Sequence, residues 1–518
     1  MKPFEKQVSL AGSIVAALVL INVIVLSIAF TMNTSFYLLL LITLPLLVMA
    51  VQDVNQKKHA IRRNYPVLGR LRYLFESIRP EMRQYFFESD LDGKPFNRRQ
   101  RSIVYQRAKN EKQTVAFGMQ ADPLQPGYEW VAHSMYPVKL RDSDLRTWIG
   151  NEQCSQPYLS SIFNISAMSY GALSKTAIQS LNEGAKLGSF AHNTGEGGIS
   201  SHHLKGGDLV WQIGTGYFGC RDLNGNFSEE NFAANALRPE VKMIELKLSQ
   251  GAKPGHGGIL PAAKNTPEIA AIRLVEPGVT VHSPGAHSAF SDAEGLMYFL
   301  QKMRRLSNGK PVGFKICIGN SEEFIDVCKA MISTGIIPDF ISVDGAEGGT
   351  GAAPLEFTDH LGMPLYDALA FVKGSLVEFG LENKVKIIAA GKIITAFDVL
   401  KAIAMGAAAC YSARGMMLSL GCIQALVCDS GRCPVGVTTQ DPRLYKGIDP
   451  ADKRIRVANY HRNTLMSVKE IMEACGFASL EDVDAKKFFR RLSAHDYKSL
   501  DGLYNREAPK TILQTQLN

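Results

Sequence analysis

Phe340-Ile-Ser-Val-Asp-Gly-Ala-Glu-Gly-Gly-Thr-Gly351 decides the fold: a short apolar strand, Phe340–Asp344, uncharged until its last residue, runs straight into a glycine-rich turn. Lys386-Ile-Ile-Ala-Ala-Gly391 repeats the arrangement. Runs of the same texture lie at Ser161–Ser166, Met243–Ser249, Val312–Cys317 and Ala407–Tyr411, each followed by a helix-compatible stretch. Strand, glycine turn and helix recurring in this order make parallel βαβ units. So many of them predict an α/β chain folded as a closed (β/α)8 TIM barrel rather than an open sheet. Active residues then belong at the C-terminal ends of the strands.

Outward from this core, the N-terminus differs in kind. No charge appears between Lys6 and Asp53; Leu10–Phe30 is one apolar run of spanning length, and Phe36–Val51 is a shorter one across the polar hinge Thr31-Met-Asn-Thr-Ser35. The pattern predicts a two-helix transmembrane hairpin preceding the barrel. A cleaved signal peptide fits worse, because the first run is too long and a second follows at once. Lys57, Lys58, Arg62, Arg63, Arg70 and Arg72 follow the hairpin, Lys2 and Lys6 precede it, and the hinge is uncharged. The positive-inside rule then places both ends, and the catalytic body, on the cytoplasmic side of the inner (cytoplasmic) membrane. The net charge of +8 accordingly points to membrane lipid, not nucleic acid. The nine cysteines form no disulfide framework, as suits a reducing compartment. The expected domains are the hairpin (1–55), a helical connector of no legible function (56–150), the barrel with its cysteine loop (151–440) and a C-terminal helical extension (441–518). Helices are expected there at Val457–Ala474 and Leu480–Leu492, before an irregular tail.

Gly421-Cys-Ile-Gln-Ala-Leu-Val-Cys-Asp-Ser-Gly-Arg-Cys-Pro-Val-Gly436 brings Cys422, Cys428 and Cys433 together at C-x5-C-x4-C. Three thiolates at this spacing suit an iron–sulfur cluster, and a three-iron form better than a four-iron one unless Asp429 or Cys410 adds a ligand. Structural zinc, which pairs its ligands at C-x2-4-C and closes with four, fits worse. The alternative is that these are simply buried apolar thiols. The glycine turns after Asp344 and Ala390 let backbone N–H groups approach a phosphate, as flavin mononucleotide (FMN) requires near the last strands of a barrel; otherwise they are tight βα turns. Gly214-Thr-Gly-Tyr-Phe-Gly219 matches G-x-G-x-x-G but runs on into turn residues, so nicotinamide dinucleotide is not expected there. His192-Asn-Thr-Gly-Glu-Gly-Gly198 and Ser249-Gln-Gly-Ala-Lys-Pro-Gly-His-Gly-Gly258 carry functional side chains among glycines. Lys253, Arg273 and Lys315 are cations at the same barrel end, and a dicarboxylate needs two such clamps.

Together these loops resemble the synthase (FMN) domain of glutamate synthase, in its shorter stand-alone, membrane-anchored form. The shared pieces are Met168-Ser-Tyr-Gly-Ala-Leu-Ser174, Asn193–Gly198, Gly251-Ala-Lys-Pro-Gly255, Asp344–Ala352 and Gly421–Gln440, within a likeness running from about Pro157 to about Val483. The resemblance implies hydride transfer from reduced FMN to 2-iminoglutarate, formed from 2-oxoglutarate and ammonia, with a three-iron, four-sulfur (3Fe-4S) cluster relaying electrons. It implies Ser166, Met168, Ser169, Lys315, Gly345, Gly349, Gly391 and Arg414 around FMN. Ser249, Gln250, Lys253 and Arg273 would hold the oxoacid, with Glu196 and Lys253 catalytic, Glu196 as proton donor or network member. Cys422, Cys428 and Cys433 would be the cluster ligands.

Two departures bear on substrate. His256 stands where the family's large enzymes have Glu, and Ser283-Pro-Gly-Ala-His287 replaces their Pro-Pro-His-His, so a related oxoacid or amine is also admitted. No amidotransferase domain is recognisable; ammonia is free, comes from a separate glutaminase subunit, or is not the substrate. Electrons would come from ferredoxin or another donor subunit. The alternatives are an amino-acid dehydrogenase passing electrons from FMN to membrane quinone, and a catalytically inactive membrane-tethered scaffold.

Overall fold

The computed structural model describes residues 9–111, 114–141, 145–351 and 353–504. Lys2, Lys6, Ala352 and the tail expected beyond residue 504 lie outside them. The chain divides into two compact units at Asn97/Arg98, inside the stretch expected as one connector.

In the larger unit eight parallel strands close into a barrel. They are β1 (Phe163–Ile165), β2 (His192–Asn193), β3 (Leu209–Ile213), β4 (Val241–Lys247), β5 (Val312–Ile316), β6 (Phe340–Asp344), β7 (Lys386–Ala390) and β8 (Ala409–Ser412), each paired with its successor and β8 with β1. β6 and β7 fall at the expected bounds, and β1, β4, β5 and β8 within a few residues of theirs. β2 and β3 were not anticipated: β2 is two residues long, and Leu-Val-Trp-Gln-Ile in β3 is buried throughout, so it shows no alternation. Val210, Met243, Phe340, Ile388, Ala409 and Tyr411 form one buried cluster of strand side chains. Gly313 is required beside it, since a Cβ there would come within 2.6 Å of the Phe340 ring.

Two C-terminal expectations meet different outcomes. Pro450–Cys475 is a long helix, started by Asp449, whose side chain accepts from the Ala451 N–H. It packs closely on the helix Lys175–Gly188, where a Cβ at Gly184 would lie 2.6 Å from Val457. Leu480–Leu492 is not the expected helix: two short 3-10 turns lead into a strand, Phe488–Arg491, which pairs antiparallel with Glu129–Val131 and Tyr497–Ser499. Glu129 explains the pairing, because its carboxylate takes Arg490 at 2.7 Å and Lys401 at 2.6 Å.

In the N-terminal unit α1 (Leu10–Thr31) is followed by a 3-10 turn and α2 (Leu40–Asn55). Both segments, Leu10–Thr31 and Thr34–Asn55, are long and apolar enough to cross a membrane, by length and composition. Their faces meet at Asn22, whose side chain accepts from the Thr43 hydroxyl at 2.9 Å and donates to the Thr43 carbonyl at 3.2 Å. Two short helical segments follow, α3 (Ala60–Asn64) and α4 (Gly69–Met82).

Candidate active site and cysteine pocket

Because all eight strands are parallel, their C-terminal ends share one rim, and the anticipated residues collect there. Glu245 anchors the polar layer beneath the rim. It is fully buried on β4 and accepts from Asn193 Nδ2 (2.8 Å), Gln212 Nε2 (2.6 Å) and the Ser342 hydroxyl, which ties β2, β3, β4 and β6 through one carboxylate. Lys315, at the end of β5, is buried against Asp344 at 3.1 Å. Burial alone would lower its ammonium pKa; Asp344, Glu245 and Glu196 outweigh burial and raise it.

Above this layer, Glu196 Oε2 lies 2.8 Å from Lys247 Nζ. Burial would raise the Glu196 carboxyl, but Lys247, Lys253 and Arg273 hold it down to about 2, so it is a carboxylate. Two glycines make room for it: a Cβ would approach its carboxyl group to 2.7 Å from Gly214 and 2.9 Å from Gly258. Gly214 belongs to the G-x-G-x-x-G stretch, which continues here as turns and opens no helix. Lys253 is buried and its Nζ donates to the Gly257 carbonyl at 3.4 Å. Arg273 ends the helix Pro267–Arg273, and burial lowers its guanidinium to about 10 against the pull of Glu196. One Nη2 hydrogen reaches the Tyr170 carbonyl at 3.2 Å, and Nε is buried with no partner among the described residues. A Cβ at Gly197 would meet Arg273 Nη2 at 2.9 Å.

Glu196, Lys247, Ser249, Gln250, Lys253, His256 and Gly258 line one cleft together with Thr215, Pro284 and Gly285. The structure therefore brings Glu196, Lys253, Gln250 and Ser249 together, with Arg273 electrostatically coupled to Glu196. The Ser249 hydroxyl, however, accepts from the Cys317 N–H at 2.9 Å and fastens the end of β4 to that of β5. Lys247 escaped the sequence reading; its signal was Glu245-Leu-Lys247, two charges in alternation at a strand end, which puts both on one face. The segment of the second departure is tied to the glycines after His256, as the Ser283 N–H donates to the Gly258 carbonyl at 2.9 Å. His287 lies behind the cleft: Nε2 donates to the Lys247 carbonyl at 2.9 Å, which leaves Nδ1 to accept from the Tyr217 hydroxyl at 3.1 Å.

The residues anticipated for FMN occupy the same rim. The Ser166 N–H donates to the Ser412 carbonyl, and that of Met168 to the Asn193 carbonyl, so both stay at the end of β1 with Ser169 next in the chain. Gly345 follows β6 and Gly391 follows β7; Arg414 follows β8 and bonds the Glu347 carbonyl at 2.6 Å. A Cβ at Gly349 would lie 2.9 Å from Arg414 Nη1, and one at Gly251 would strike the Gly345 carbonyl. Glycine loops pressed against a guanidinium, above a buried polar layer, fit the phosphate and the ring of FMN.

Cys422, Cys428 and Cys433 line one apolar pocket with Met417, Leu426, Val435 and Val437. Burial raises the Cys422 thiol to about 11 and shifts Cys428 upward as well. Thiols so placed stay protonated unless a metal centre takes the proton's place, which is the donor set a cluster needs. Among the described residues no three His, Cys, Asp or Glu side chains close on a single ion. Neither proposed fourth ligand lines the pocket: Asp429 is exposed, and the buried Cys410 thiol on β8 points to the Val399 carbonyl. Two groups brace the loop, the Tyr105 hydroxyl on the Cys422 carbonyl at 2.7 Å and Lys264 Nζ on the Cys428 carbonyl at 3.0 Å. Tyr105 lies on the helix Arg98–Lys109, which gives that part of the connector a visible role.

Residues 105–478 match the conserved region in glutamate synthase, a span that includes the whole barrel and the cysteine loop. The chain belongs to the glutamate synthase family. Among relatives, the glutamate synthase large subunit-like protein YerD of Bacillus subtilis is 38% identical over 466 residues, 81% of this chain and 88% of YerD. The archaeal glutamate synthase [NADPH] of Methanocaldococcus jannaschii is 35% identical over 364 residues, 70% of this chain and 67% of that protein. The ferredoxin-dependent glutamate synthase of Antithamnion sp. is 33% identical over 349 residues, 62% of this chain but 21% of that much longer protein. The family is that of glutamate synthase-like FMN oxidoreductases.

Proposed function

We propose that the chain reductively aminates 2-oxoglutarate, or a closely related oxoacid, with ammonia to the corresponding amino acid. The cations around Glu196 carry this reading. Lys247, Lys253 and Arg273 against one carboxylate leave two positive charges uncompensated, which is the charge of a dicarboxylate. Lys253 and the free Nε edge of Arg273 would grip the substrate carboxylates, with Gln250 beside them. Glu196, being ionised, balances charge and orients Lys247 rather than donating a proton. Lys247 Nζ keeps hydrogens beyond the one given to Glu196, available to the substrate's carbonyl or imine nitrogen. The cleft walls around Gly257 and Pro284 limit access of water to the imine.

Ser166, Met168, Ser169, Lys315, Gly345, Gly349, Gly391 and Arg414 would hold FMN, and the chemistry available with FMN bound is two-electron reduction of the imine. Cys422, Cys428 and Cys433 would hold a 3Fe-4S cluster relaying electrons from ferredoxin or another donor subunit. Ammonia would be free or delivered by a glutaminase subunit. The hairpin would anchor the chain in the inner membrane with the barrel in the cytoplasm.

Equilibrium titration of the flavin-loaded full chain tests the substrate class. Saturable perturbation of the flavin spectrum by 2-oxoglutarate, at least about tenfold tighter than by pyruvate, is expected from the second carboxylate's charge-assisted bonds. Equal affinities would count against the two-clamp reading. The two spanning-length helices favour a second reading, a dehydrogenase delivering electrons to quinone. Glutamate-dependent reduction of a soluble quinone analogue would support it.

A further inference from the structure

The basic run after the hairpin looks uniform in sequence, and the structure splits it in two. Arg62 and Arg70 are engaged: both close on Asp53, buried near the end of α2, at 2.6 and 2.8 Å, and the Val67 N–H adds a third bond to the same carboxylate. The start of α4 is pressed against α3 as well, since a Cβ at Gly69 would lie 2.9 Å from Arg62 Cα. The knot therefore fixes where α4 begins relative to the end of the second apolar helix.

From that fixed start α4 presents an apolar stripe to solvent. Leu71, Leu74, Phe75, Ile78 and Met82 recur at the spacing of one helical face, and every one is exposed, Phe75 at 62%. The next turn, Arg83–Phe87, adds Tyr85, Phe86 and Phe87, the last two exposed at 73% and 75%. Arg72, Arg79 and Arg83 each follow a stripe residue by one position, which places them about a quarter turn away, along one edge of the stripe. All three are exposed, and the ion pairs of Arg72 with Glu76 and of Arg83 with Glu88 leave those side chains more than half accessible, each at 58%. A core helix would bury such a stripe. Aromatic and aliphatic residues edged by cations, separated from a spanning-length helix by the short α3 alone, have the chemistry of the boundary between acyl chains and anionic headgroups.

We propose that residues 69–87 form an in-plane membrane-surface element, with the Leu71–Met82 stripe and Phe86–Phe87 at the acyl boundary and Arg72, Arg79 and Arg83 on anionic phospholipid headgroups. This rests on the reading that the hairpin spans the membrane. The element would hold the chain leaving the hairpin flat on the bilayer.

The test places a photo-crosslinking benzophenone side chain at Phe75 or, separately, at Leu20 within the hairpin, in the full chain reconstituted in phosphatidylcholine–phosphatidylglycerol nanodiscs. Mass spectrometry should find phospholipid attached at both positions. Lipid at Leu20 with a second copy of the chain, or nothing, at Phe75 would overturn the proposal and leave the spanning reading standing. No lipid at either position would overturn both. With Arg72→Glu, Arg79→Glu and Arg83→Glu combined, phosphatidylglycerol capture at Phe75 should fall severalfold while capture at Leu20 is unchanged. Undiminished capture would overturn the headgroup assignment.

Discussion

The cleft and the cysteine pocket belong to the same unit and solve opposite electrostatic problems. In the cleft Glu196 is paired with Lys247 and, below it, Lys315 with Asp344, and these partners keep Glu196 and Lys315 ionised while burial works against both. The pocket is apolar, and its Cys422 and Cys428 thiols are pushed toward the neutral form. On the proposed reading one site would be preorganised for a charged substrate, and the other would be completed by a metal centre that supplies its own charge. The cysteine loop meets the glycine turn after β6 at Gly351, where a Cβ would come within 2.9 Å of the Asp429 nitrogen and 3.0 Å of the Cys428 carbonyl carbon. The glycine turn and the cysteine loop are in backbone contact there.

The contrast breaks most visibly at the thiols. Cys428→Ser should abolish cluster absorbance and iron content while FMN remains bound, since the phosphate glycines and Arg414 are untouched; an intact cluster would refute the ligand assignment. Lys253→Ala should weaken oxoacid binding by about 10- to 100-fold, as loss of a charge-assisted bond of about 1.5–3 kcal/mol implies, with flavin retained. Unchanged affinity in the flavin-perturbation titration would remove Lys253 from the substrate site.

Acid and base should separate the two sites in metal-free protein. His287 is lowered by burial from 6.5 to about 4, and Glu196 from 4.5 to about 2 by its cations overriding burial. Both are depressed, so their stabilisation is full above the unfolded value and lost as pH falls through the folded one, first across 6.5 to 4 and then across 4.5 to 2. The Cys422 thiol is raised from 9.0 to about 11, so its contribution holds below 9 and is lost as pH rises to 11. Thermal unfolding against pH should show an acid limb that His287→Gln makes shallower and an alkaline limb that Cys422→Ser makes shallower, other buried histidines and thiols supplying the rest; limbs insensitive to both would contradict the assignment. The smallest effect should come from Lys264, a buried cation bonded to the Cys428 carbonyl beside the pocket. Lys264→Met should shift the cluster's midpoint potential to more negative values in an EPR-monitored redox titration, and an unchanged potential would mean the lysine only braces the loop.

Legibility followed chemistry. β6 and β7, which run into Gly345 and Gly391, announced themselves, whereas β3 runs into Gly214 in the same way but is buried throughout and has no alternation to read. The cysteine triplet was visible as spacing alone, but the fourth-ligand options failed because sequence does not say which face of β8 carries Cys410. Leu480–Leu492 has helical spacing of apolar residues, and Glu129, more than 350 positions away, overrode it by pairing with Arg490 in a sheet. Lys247 went unnoticed because a charged residue at a strand end looks like surface until the barrel closes around it.

The most direct measurement is anaerobic reoxidation of the chemically reduced, flavin-loaded chain by 2-oxoglutarate with and without ammonium, with glutamate assayed as product. Ammonium-dependent reoxidation that yields glutamate is the predicted result. Reduced flavin that stays reduced with both substrates present, FMN being demonstrably bound, would contradict reductive amination of 2-oxoglutarate by this chain.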